Sequence, residues 1–259
     1  MPGLLQRILP AARVAKITHA SYQSDVYAAY AEYIVRKGYH PKFVIIPINL
    51  RSFSPEWDRQ PLWQFEKEKL TLAMKDTFWM KFYQPLAVLK FFEPRINRFA
   101  YEQTDVFDGG QRIGKVHDFD NAAYKDVSPE HMKDKLRFRY MGQIAPDHRK
   151  IKSLEHAAAV LKAGGIAPIF YITPVDYQTI EKNLGPQSVE QIVANVNVIN
   201  AALSAKGVDV VDLSRTLPSS EFSWPEDGEG PHYPNEHLRL RGRMFVVKSL
   251  VDASALHQR

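Results

Sequence analysis

The sequence predicts a three-layer, flavodoxin-like α/β fold with a parallel sheet. Residues 43–48, Phe-Val-Ile-Ile-Pro-Ile, form a near-continuous apolar run, which is typical of a parallel strand covered on both faces. Two further runs of this kind, Pro168–Thr173 and Val208–Leu213, each follow a helical pattern. Strands and helices therefore alternate at both ends of the chain, as they do in a doubly wound sheet.

The N-terminal part contains a predicted βαβ unit. Arg13–Thr18 is expected to be a short strand. Ser24 is a favoured N-cap for a helix that runs to about Lys37, and Gly38 is a typical stop. With Phe43–Ile48 as the next strand, the helix crosses from one strand to the other.

The middle of the chain, from about residue 65 to residue 144, is expected to be a helical insertion. Phe65–Phe92 mixes charged and aromatic residues and predicts a helix that is broken by a proline. Pro94–Val127 is rich in Asp, contains Gly109-Gly110 and is expected to be irregular. Ser128-Pro129 then begins a helix in the favoured order of cap and proline.

Regular alternation returns in the C-terminal half. A helix is expected from about Ser153 to Gly164-Gly165, and the capping box Ser188–Gln191 predicts one that runs to Lys206-Gly207. The last helix is expected over Leu238–Ala253. No repeat or linker divides the chain, so residues 1–259 are expected to form a single domain.

Composition excludes several classes of protein. A chain of 259 residues with 45% hydrophobic residues can bury a full core. It has no Cys, which excludes disulfides, thiolate metal sites and Cys nucleophiles. No metal-ligand spacing or Gly-rich phosphate loop is present, so neither metal nor cofactor is expected. The net charge of +5 looks diffuse and comes without a nucleic-acid motif, so no nucleic-acid partner is expected.

The N-terminus lacks the apolar run of a signal peptide. The longest apolar stretch, Phe78–Phe92, is too short to span a bilayer and carries Lys81 and Lys90. A cytoplasmic protein is the default expectation. A periplasmic or membrane-anchored one is expected instead if the chain is a fragment, and membrane contact stays open.

Candidate site residues follow the strands, because ligands of open α/β sheets bind outside the carboxyl ends of the strands. The sequence positions past each strand end are His19, Ser21, Ser24, Asn49, Arg51, Ser52, Ser54, Thr173, Asp176, Tyr177, Asp212, Ser214 and Arg215, with Asp227, Glu229, His232 and His237 in the last loop.

Three blocks of sequence resemble bacterial SGNH (GDSL) hydrolase-like proteins. They are Ile46–Trp57, Phe170–Asp176, and Val211–Ser214 taken with Pro234–Leu238. Relatives of that family include polysaccharide O-acetylation proteins and the D-alanylation protein of lipoteichoic acid synthesis. The resemblance extends from about Val14 to Leu250, and the order and spacing of the blocks agree with the family.

The resemblance implies a serine esterase or O-acyltransferase that acts on an acylated carbohydrate or a similar ester. In the family a Ser attacks the acyl carbon, a His takes its proton, and Gly and Asn donors hold the oxyanion. Carried over, His237 is the base, since Leu238 and Gly242 reproduce the usual His-Leu-x-x-x-Gly run. Asn49 is then an oxyanion donor. A partner protein of a cell-envelope acylation system is also implied.

Two departures from the family pattern weaken this expectation. The chain contains no Gly-Asp-Ser, the block that carries the nucleophile. Pro234 stands three residues before His237, where the family has the Asp that orients the imidazole. Glu229 with His232 is an alternative acid and base pair, and Asp227 is another candidate acid. Weak or absent esterase activity is expected, and the alternative is a non-catalytic module that binds a glycan or a protein.

The fold is also expected to lack its first strand. In the family order 2-1-3-4-5, Val14–Thr18 would be the second strand and Phe43–Ile48 the third. Adjacent strands lie about 4.8 Å apart, so without the first strand these two are too distant to pair. Either they close up or the chain is a fragment, and the fragment is favoured.

Several residues have a second interpretation. Asn49 is as well explained by a turn that its side chain caps. Ser21 and Ser24 are candidate replacement nucleophiles, but a turn and an N-cap explain them better. Asp212 is expected to fix the loop after its strand. The aromatic residues from Phe78 to Phe92 fit a core better than a lid over an acyl pocket.

Overall fold

A computed structural model describes most of the regular elements of the chain. The described residues are 2–17, 23–58, 69–73, 103, 105–108, 111–115, 129–222 and 237–256. Most of the insertion predicted between residues 65 and 144 therefore lies outside them, as does the aromatic stretch Phe78–Phe92. Within the described ranges, no helix is both long and apolar enough to cross a bilayer.

Eight helices and five strands follow one another in these ranges. The helices are α1 Pro2–Ile8, α2 Ser24–Arg36, α3 Pro55–Asp58, α4 Pro129–Tyr140, α5 Arg149–Ala163, α6 Tyr177–Leu184, α7 Gln187–Ser204 and α8 Leu240–Leu256. The strands are β1 Phe43–Ile48, β2 Asp105–Asp108, β3 Gln111–Lys115, β4 Ala167–Ile172 and β5 Val210–Asp212.

The main sheet has three parallel strands in the order β1-β4-β5, with β4 in the centre. Ile46 pairs with Phe170 and Ile172 with Asp212 in this register. The chain is thus a mixed α/β protein with a small parallel sheet, which agrees with the fold class predicted from the alternating pattern.

The larger face of the sheet, called here the helix-rich face, packs against α2 and α4–α7. Ile46 and Ile48 of β1 and Phe170 and Ile172 of β4 point to this face and are almost fully buried. They meet rows of apolar residues spaced three to four apart, such as Ile151, Leu154, Ala158 and Leu161 on α5. This spacing puts the apolar residues of a helix on one side.

The opposite face, called here the single-helix face, is covered mainly by α8. Ile169 and Tyr171 of β4 point to it, because successive side chains of a strand alternate between faces. They pack with Phe222 and with Val246 and Leu250 of α8. Helices lie on both faces, so the described elements form three layers.

The outer edge of β1 carries Pro47. The Thr173 N–H donates to the Ile48 carbonyl at 2.9 Å, and the Ala167 N–H donates to the Lys42 carbonyl at 3.3 Å. Even-numbered residues of β1 therefore bond to β4, and the backbone groups of Phe43, Ile45 and Pro47 point away from it. No described strand pairs with that outer edge.

The strand predicted over Arg13–Thr18 is wrong for residues 13–17, which form no strand, while Thr18 lies outside the described residues. Ile17 is 51% exposed. Arg13 and Lys16 interrupt the apolar residues, and no neighbouring strand supplies the hydrogen bonds that a short strand needs. This segment therefore does not stand as the family's second strand.

Two predicted helix caps lie one or two residues away from the observed ones. The N-cap of α2 is Gln23, and Ser24 is the first helical residue, with a buried side chain. Ser188 lies inside α7, whose N-cap is Pro186, and its hydroxyl donates to the Gly185 carbonyl at 2.6 Å. The predicted stop glycines Gly38, Gly165 and Gly207 all have positive φ, as expected of helix ends.

Helix α5 begins at Arg149, four residues before the predicted start, because His148 caps it: His148 Nδ1 accepts a hydrogen bond from the Lys150 N–H at 3.2 Å. Helix α6, Tyr177–Leu184, was not predicted. It begins where Asp176 accepts a hydrogen bond from the Thr179 N–H.

The stretch expected to be irregular contains an antiparallel hairpin of β2 and β3. Asp108 pairs with Gln111, so only Gly109-Gly110 separates the strands in sequence, a pair typical of two-residue hairpin turns. Asp105 contacts Arg112 at 2.7 Å and Lys115 at 2.9 Å across the hairpin. Hydrogen bonds from Arg112 and then Lys115 lower the pKa of the Asp105 carboxyl.

Candidate functional site

The carboxyl ends of the three parallel strands bring together the first residues of three loops. Asn49 follows β1, Thr173 follows β4 and Ser214 lies two residues past β5. The Thr173 N–H bonds to the Ile48 carbonyl, and the Val175 N–H bonds to the Ser214 carbonyl at 2.9 Å. The residues that the strand-end argument nominated are thus neighbours along one edge.

Asn49 caps a 3-10 turn, Leu50–Phe53. Its Oδ1 accepts a hydrogen bond from the Arg51 N–H at 2.8 Å, and its carbonyl accepts one from the Ser52 hydroxyl at 2.6 Å. The turn-cap interpretation of Asn49 is confirmed. An oxyanion role would need the Nδ2 amide, because an oxyanion accepts hydrogen bonds and Oδ1 cannot donate one, and that role stays a prediction.

Lys150 holds the loop after β1, a role that was not predicted from the sequence. Its side chain lies in the first turn of α5 and is fully buried. Nζ donates to the Ser52 carbonyl and, at 2.9 Å, to the Trp57 carbonyl. In the sequence Lys150 belongs to the run His148-Arg-Lys150, which looks like a solvated basic surface.

Ring contacts brace the same loop. The Phe53 ring lies 5.1 Å from the His148 ring, and the Arg51 guanidinium lies 5.3 Å from the centre of the Trp57 ring. The second contact is a cation–π interaction. Asn49 therefore stands at the base of a loop that α5 holds from one side.

Asp176 links two loops at the same edge. It is 4% exposed, and its Oδ1 accepts hydrogen bonds from the Thr179 N–H at 3.2 Å and from the Ser219 hydroxyl. The Gln178 side-chain oxygen accepts a hydrogen bond from the Ser219 N–H at 2.8 Å. The sequence nominated Asp176 without a partner, since Ser219 comes 43 residues later.

Several polar side-chain atoms at this edge are buried and lack a hydrogen-bond partner in the described part of the chain. They include Asp176 Oδ2, Thr173 Oγ1 and Ser214 Oγ. Native proteins leave few such atoms, because each costs free energy to bury. Most of those in the described ranges lie at this end of the sheet or at the start of α2: Gln23, Ser24, Ser54, Thr173, Asp176 and Ser214.

The buried serines at this end carry no activated hydroxyl in the described structure. Ser24, Ser54 and Ser214 all have an unpartnered Oγ, so none of them is hydrogen-bonded to an imidazole. Ser21 lies outside the described residues. Ser24 is therefore not paired as a replacement nucleophile would be.

His237 is exposed and lies three residues before α8. Leu238 forms an antiparallel bridge with Phe222, and the Arg239 N–H donates to the Glu221 carbonyl at 2.8 Å. Glu221 ends the 3-10 turn that begins at Ser219, the partner of Asp176. His237 is thus tied through this turn to the loop after β4.

Gly242 has a packing reason. A Cβ at this position would lie 3.2 Å from Leu217 Cδ1 and 3.3 Å from the Glu221 carbonyl oxygen. The glycine lets α8 approach the turn that precedes Phe222. The His-Leu-x-x-x-Gly run of the sequence therefore has a structural cause at its last position, whatever His237 does.

Three candidate residues of the last loop, Asp227, Glu229 and His232, lie outside the described residues, as does Pro234. The alternative pairing of Glu229 with His232 and the acid role of Asp227 stay predictions. Asp212 does fix the loop after β5, as predicted, because its Oδ1 accepts a hydrogen bond from the Ser214 N–H at 2.9 Å.

Buried phenols flank the sheet. Burial raises the pKa of Tyr171 to about 12. Burial, and secondarily the nearby Tyr171, raises the pKa of Tyr27 well above its ordinary value. Both phenols stay protonated at neutral pH, so neither serves as a phenolate base. Among the described residues no group of His, Asp and Glu is arranged to hold a metal ion.

The class of protein that these observations define is a three-layer α/β protein with polar loops at the carboxyl end of a small parallel sheet. No family model matches the chain, and no curated protein is significantly similar to it. What the chain does must therefore be inferred from its own residues.

Proposed function

We propose that the chain is an SGNH-hydrolase-like protein of the kind that acts on an acylated carbohydrate or similar ester, by hydrolysis or O-acyl transfer. Its turnover is weak or absent, because the chain contains no Gly-Asp-Ser nucleophile block. The observation that carries the proposal is the arrangement of Asn49 and His237. Asn49 directly follows β1, and His237 is tied through the 219–222 turn to the loop after β4. An ester bound at the carboxyl end of the sheet would be approached from both loops.

In the proposed reaction His237 is the general base. His237 is exposed, and the tight approach of α8 at Gly242 limits the freedom of the backbone that carries it. A positioned base of this kind accelerates acyl transfer by about 10²–10⁴-fold. The acid that orients it is unassigned between Asp227 and Glu229, with His232 as the alternative base.

Asn49 would hold the oxyanion through its Nδ2 amide. Its Oδ1 bond to the Arg51 N–H fixes the plane of the amide, and Lys150 holds the loop that follows. Such preorganisation is what an oxyanion donor requires, because a donor that must reorient in the transition state contributes less.

A fluorophosphonate that labels activated serines tests the proposal on the whole chain. If a serine of the chain acts as the nucleophile, the label is confined to that serine, and its rate falls at least about a hundredfold in His237→Ala but is unchanged in His156→Ala. His156 is a matched control, because it is an exposed imidazole on α5 that pairs with Glu32. Labelling that is equal in both variants would remove His237 from the reaction.

The second candidate is a non-catalytic module that binds a glycan or a protein of a cell-envelope acylation system. The unpartnered hydroxyls of Ser24, Ser54 and Ser214 favour it, because no described serine at this end is paired as a nucleophile. Complete absence of labelling, together with calorimetric binding of glucose pentaacetate, would replace the catalytic proposal with this one. If the chain is neither labelled nor binds glucose pentaacetate, both candidate functions are overturned.

A further inference from the structure

The excess of positive over negative charge in the chain comes from two segments. Residues 2–17 and 237–256 hold seven of the 34 Lys and Arg residues but one of the 29 Asp and Glu residues. The net charge of +5 thus arises in these segments, and the rest of the chain is close to neutral. Helix α1 lies against α8, so part of the charge that looks diffuse in the sequence is brought together there.

The outward side of α8 is apolar as well as basic. Leu240 is 62% exposed, Met244 50% and Phe245 41%, the largest such group on any described helix. Arg241, Arg243 and Lys248 are exposed between them. Asp252 is the acidic residue of α8, and Glu221 of the preceding turn lies 3.7 Å from Arg241. Gly242, Val246, Val247 and Leu250 face inward to the sheet. The exposed set is called here the basic face of α8.

Residues 2–17, called here the α1 segment, contain the same combination, and their helix α1 contacts α8. Ile8 is 43% exposed and Ile17 51%, and Arg7, Arg13 and Lys16 are exposed in the same stretch of sequence. Residues 2–17 contain no acidic residue. A water-facing surface seldom exposes several long apolar side chains together, and such a patch marks an interaction site.

We propose that the basic face of α8, extended by the α1 segment, docks on a bilayer surface that contains anionic phospholipid. Arg and Lys beside Leu, Met and Phe are the composition of interfacial helices, whose cations meet lipid phosphates while the apolar side chains enter the acyl boundary. Nucleic acid would use the cations but leave Leu240, Met244 and Phe245 in water. The inference does not depend on the proposed function.

The opposite side of α8 makes this docking compatible with the fold. Val246 and Leu250 pack in the core of the single-helix face, so the helix can lie flat on a surface without leaving the sheet. His237 stands at the N-terminal end of the same helix, which would hold the carboxyl end of the sheet close to the membrane.

Co-sedimentation of the full chain with vesicles tests the proposal. We expect binding to phosphatidylglycerol–phosphatidylcholine vesicles, loss of binding to pure phosphatidylcholine, and weakening with salt. The double variant Arg241→Glu/Lys248→Glu should bind the anionic vesicles at least about tenfold more weakly than the parent. Lys182→Glu/Lys206→Glu makes the same charge change at exposed sites on α6 and after α7, and should bind as the parent does.

A second variant distinguishes binding to a lipid surface from binding to another anionic partner. Met244→Ser/Phe245→Ser keeps every charge and should also weaken vesicle binding, whereas binding to a DNA duplex would be unaffected by it. Circular dichroism melts of all variants check that the fold is kept. Equal binding to neutral and anionic vesicles, parent-like binding of the Arg241/Lys248 variant, or concentration-dependent dimerisation through this face without vesicle binding would each overturn the proposal.

Discussion

The two faces of the central strand differ in what covers them. Ile172 points to the helix-rich face, where α2 and α4–α7 enclose it in one large cluster. Ile169, three residues earlier, points to the single-helix face, where α8 and the 219–222 turn form a much smaller cluster. Both side chains are almost fully buried. Among the described elements, several helices therefore pack near Ile172 but one helix packs near Ile169, although the two side chains are equally buried.

This difference bears on function as well as on stability. The helix-rich face supplies the rigid support, because α5 carries the buried Lys150 that holds the loop after Asn49. The single-helix face carries His237 and the basic face of α8. By our proposal, the side with the smaller described core is thus the side that meets the membrane.

Removal of the same atoms from the two faces is the strongest test of the comparison. Ile172→Ala should lower the free energy of unfolding by about 4 kcal/mol and Ile169→Ala by about 2 kcal/mol, because a cavity beside one helix can collapse more completely. Urea unfolding of both variants measures the difference. A larger loss for Ile169→Ala would show that α8 is the better packed cover.

Lys150 offers the next largest effect. Lys150→Met keeps the packing of the stem but removes the donor to the Ser52 and Trp57 carbonyls, and we expect a loss of about 3 kcal/mol. Lys152 lies two residues further along α5, and its side chain is 60% exposed. Lys152→Met should change the free energy of unfolding by less than about 0.5 kcal/mol. Similar losses in both, or a gain in Lys150→Met, would contradict the role assigned to Lys150.

The smallest effect is confined to alkaline pH. The folded-state pKa of Tyr171, about 12, lies above the unfolded value of 10.0, so its contribution is complete below pH 10 and is lost as the pH rises through about 12. The loss is at most about 1.4 kcal/mol for each pH unit. Tyr171→Phe should flatten this part of a pH–stability curve measured by urea unfolding. An unchanged slope would mean that the phenol is not buried on the single-helix face.

The sequence predicted the layers better than it predicted the site. Apolar runs defined β1 and β4 to within one residue, because a strand buried on both faces leaves a continuous pattern. The strand predicted over Arg13–Thr18 was wrong for residues 13–17, because a short run with two cations has no such continuous pattern and forms a strand only beside a partner strand. The hairpin of β2 and β3 was missed, although Gly109-Gly110 is a usable signal for it.

Contacts that join distant parts of the chain gave no local signal. Lys150 reaches back 98 residues to Ser52, and Ser219 reaches back 43 residues to Asp176. Composition and spacing cannot reveal either contact, because each depends on how the loops meet at the carboxyl end of the sheet. The strand-end rule predicted that Asn49, Thr173 and Ser214 lie along one edge, but not which contacts hold their loops there.

Pro47 has a consequence for the chain in a crowded solution. Along the outer edge of β1, with which no described strand pairs, Phe43 and Ile45 carry N–H groups directed away from β4, and Pro47 carries none. A second molecule that tried to extend the sheet would lose a ladder bond just where the strand is most apolar. Ile46 and Ile48 can thus be as hydrophobic as the core demands, while one imino acid makes their strand a poor template for fibril growth.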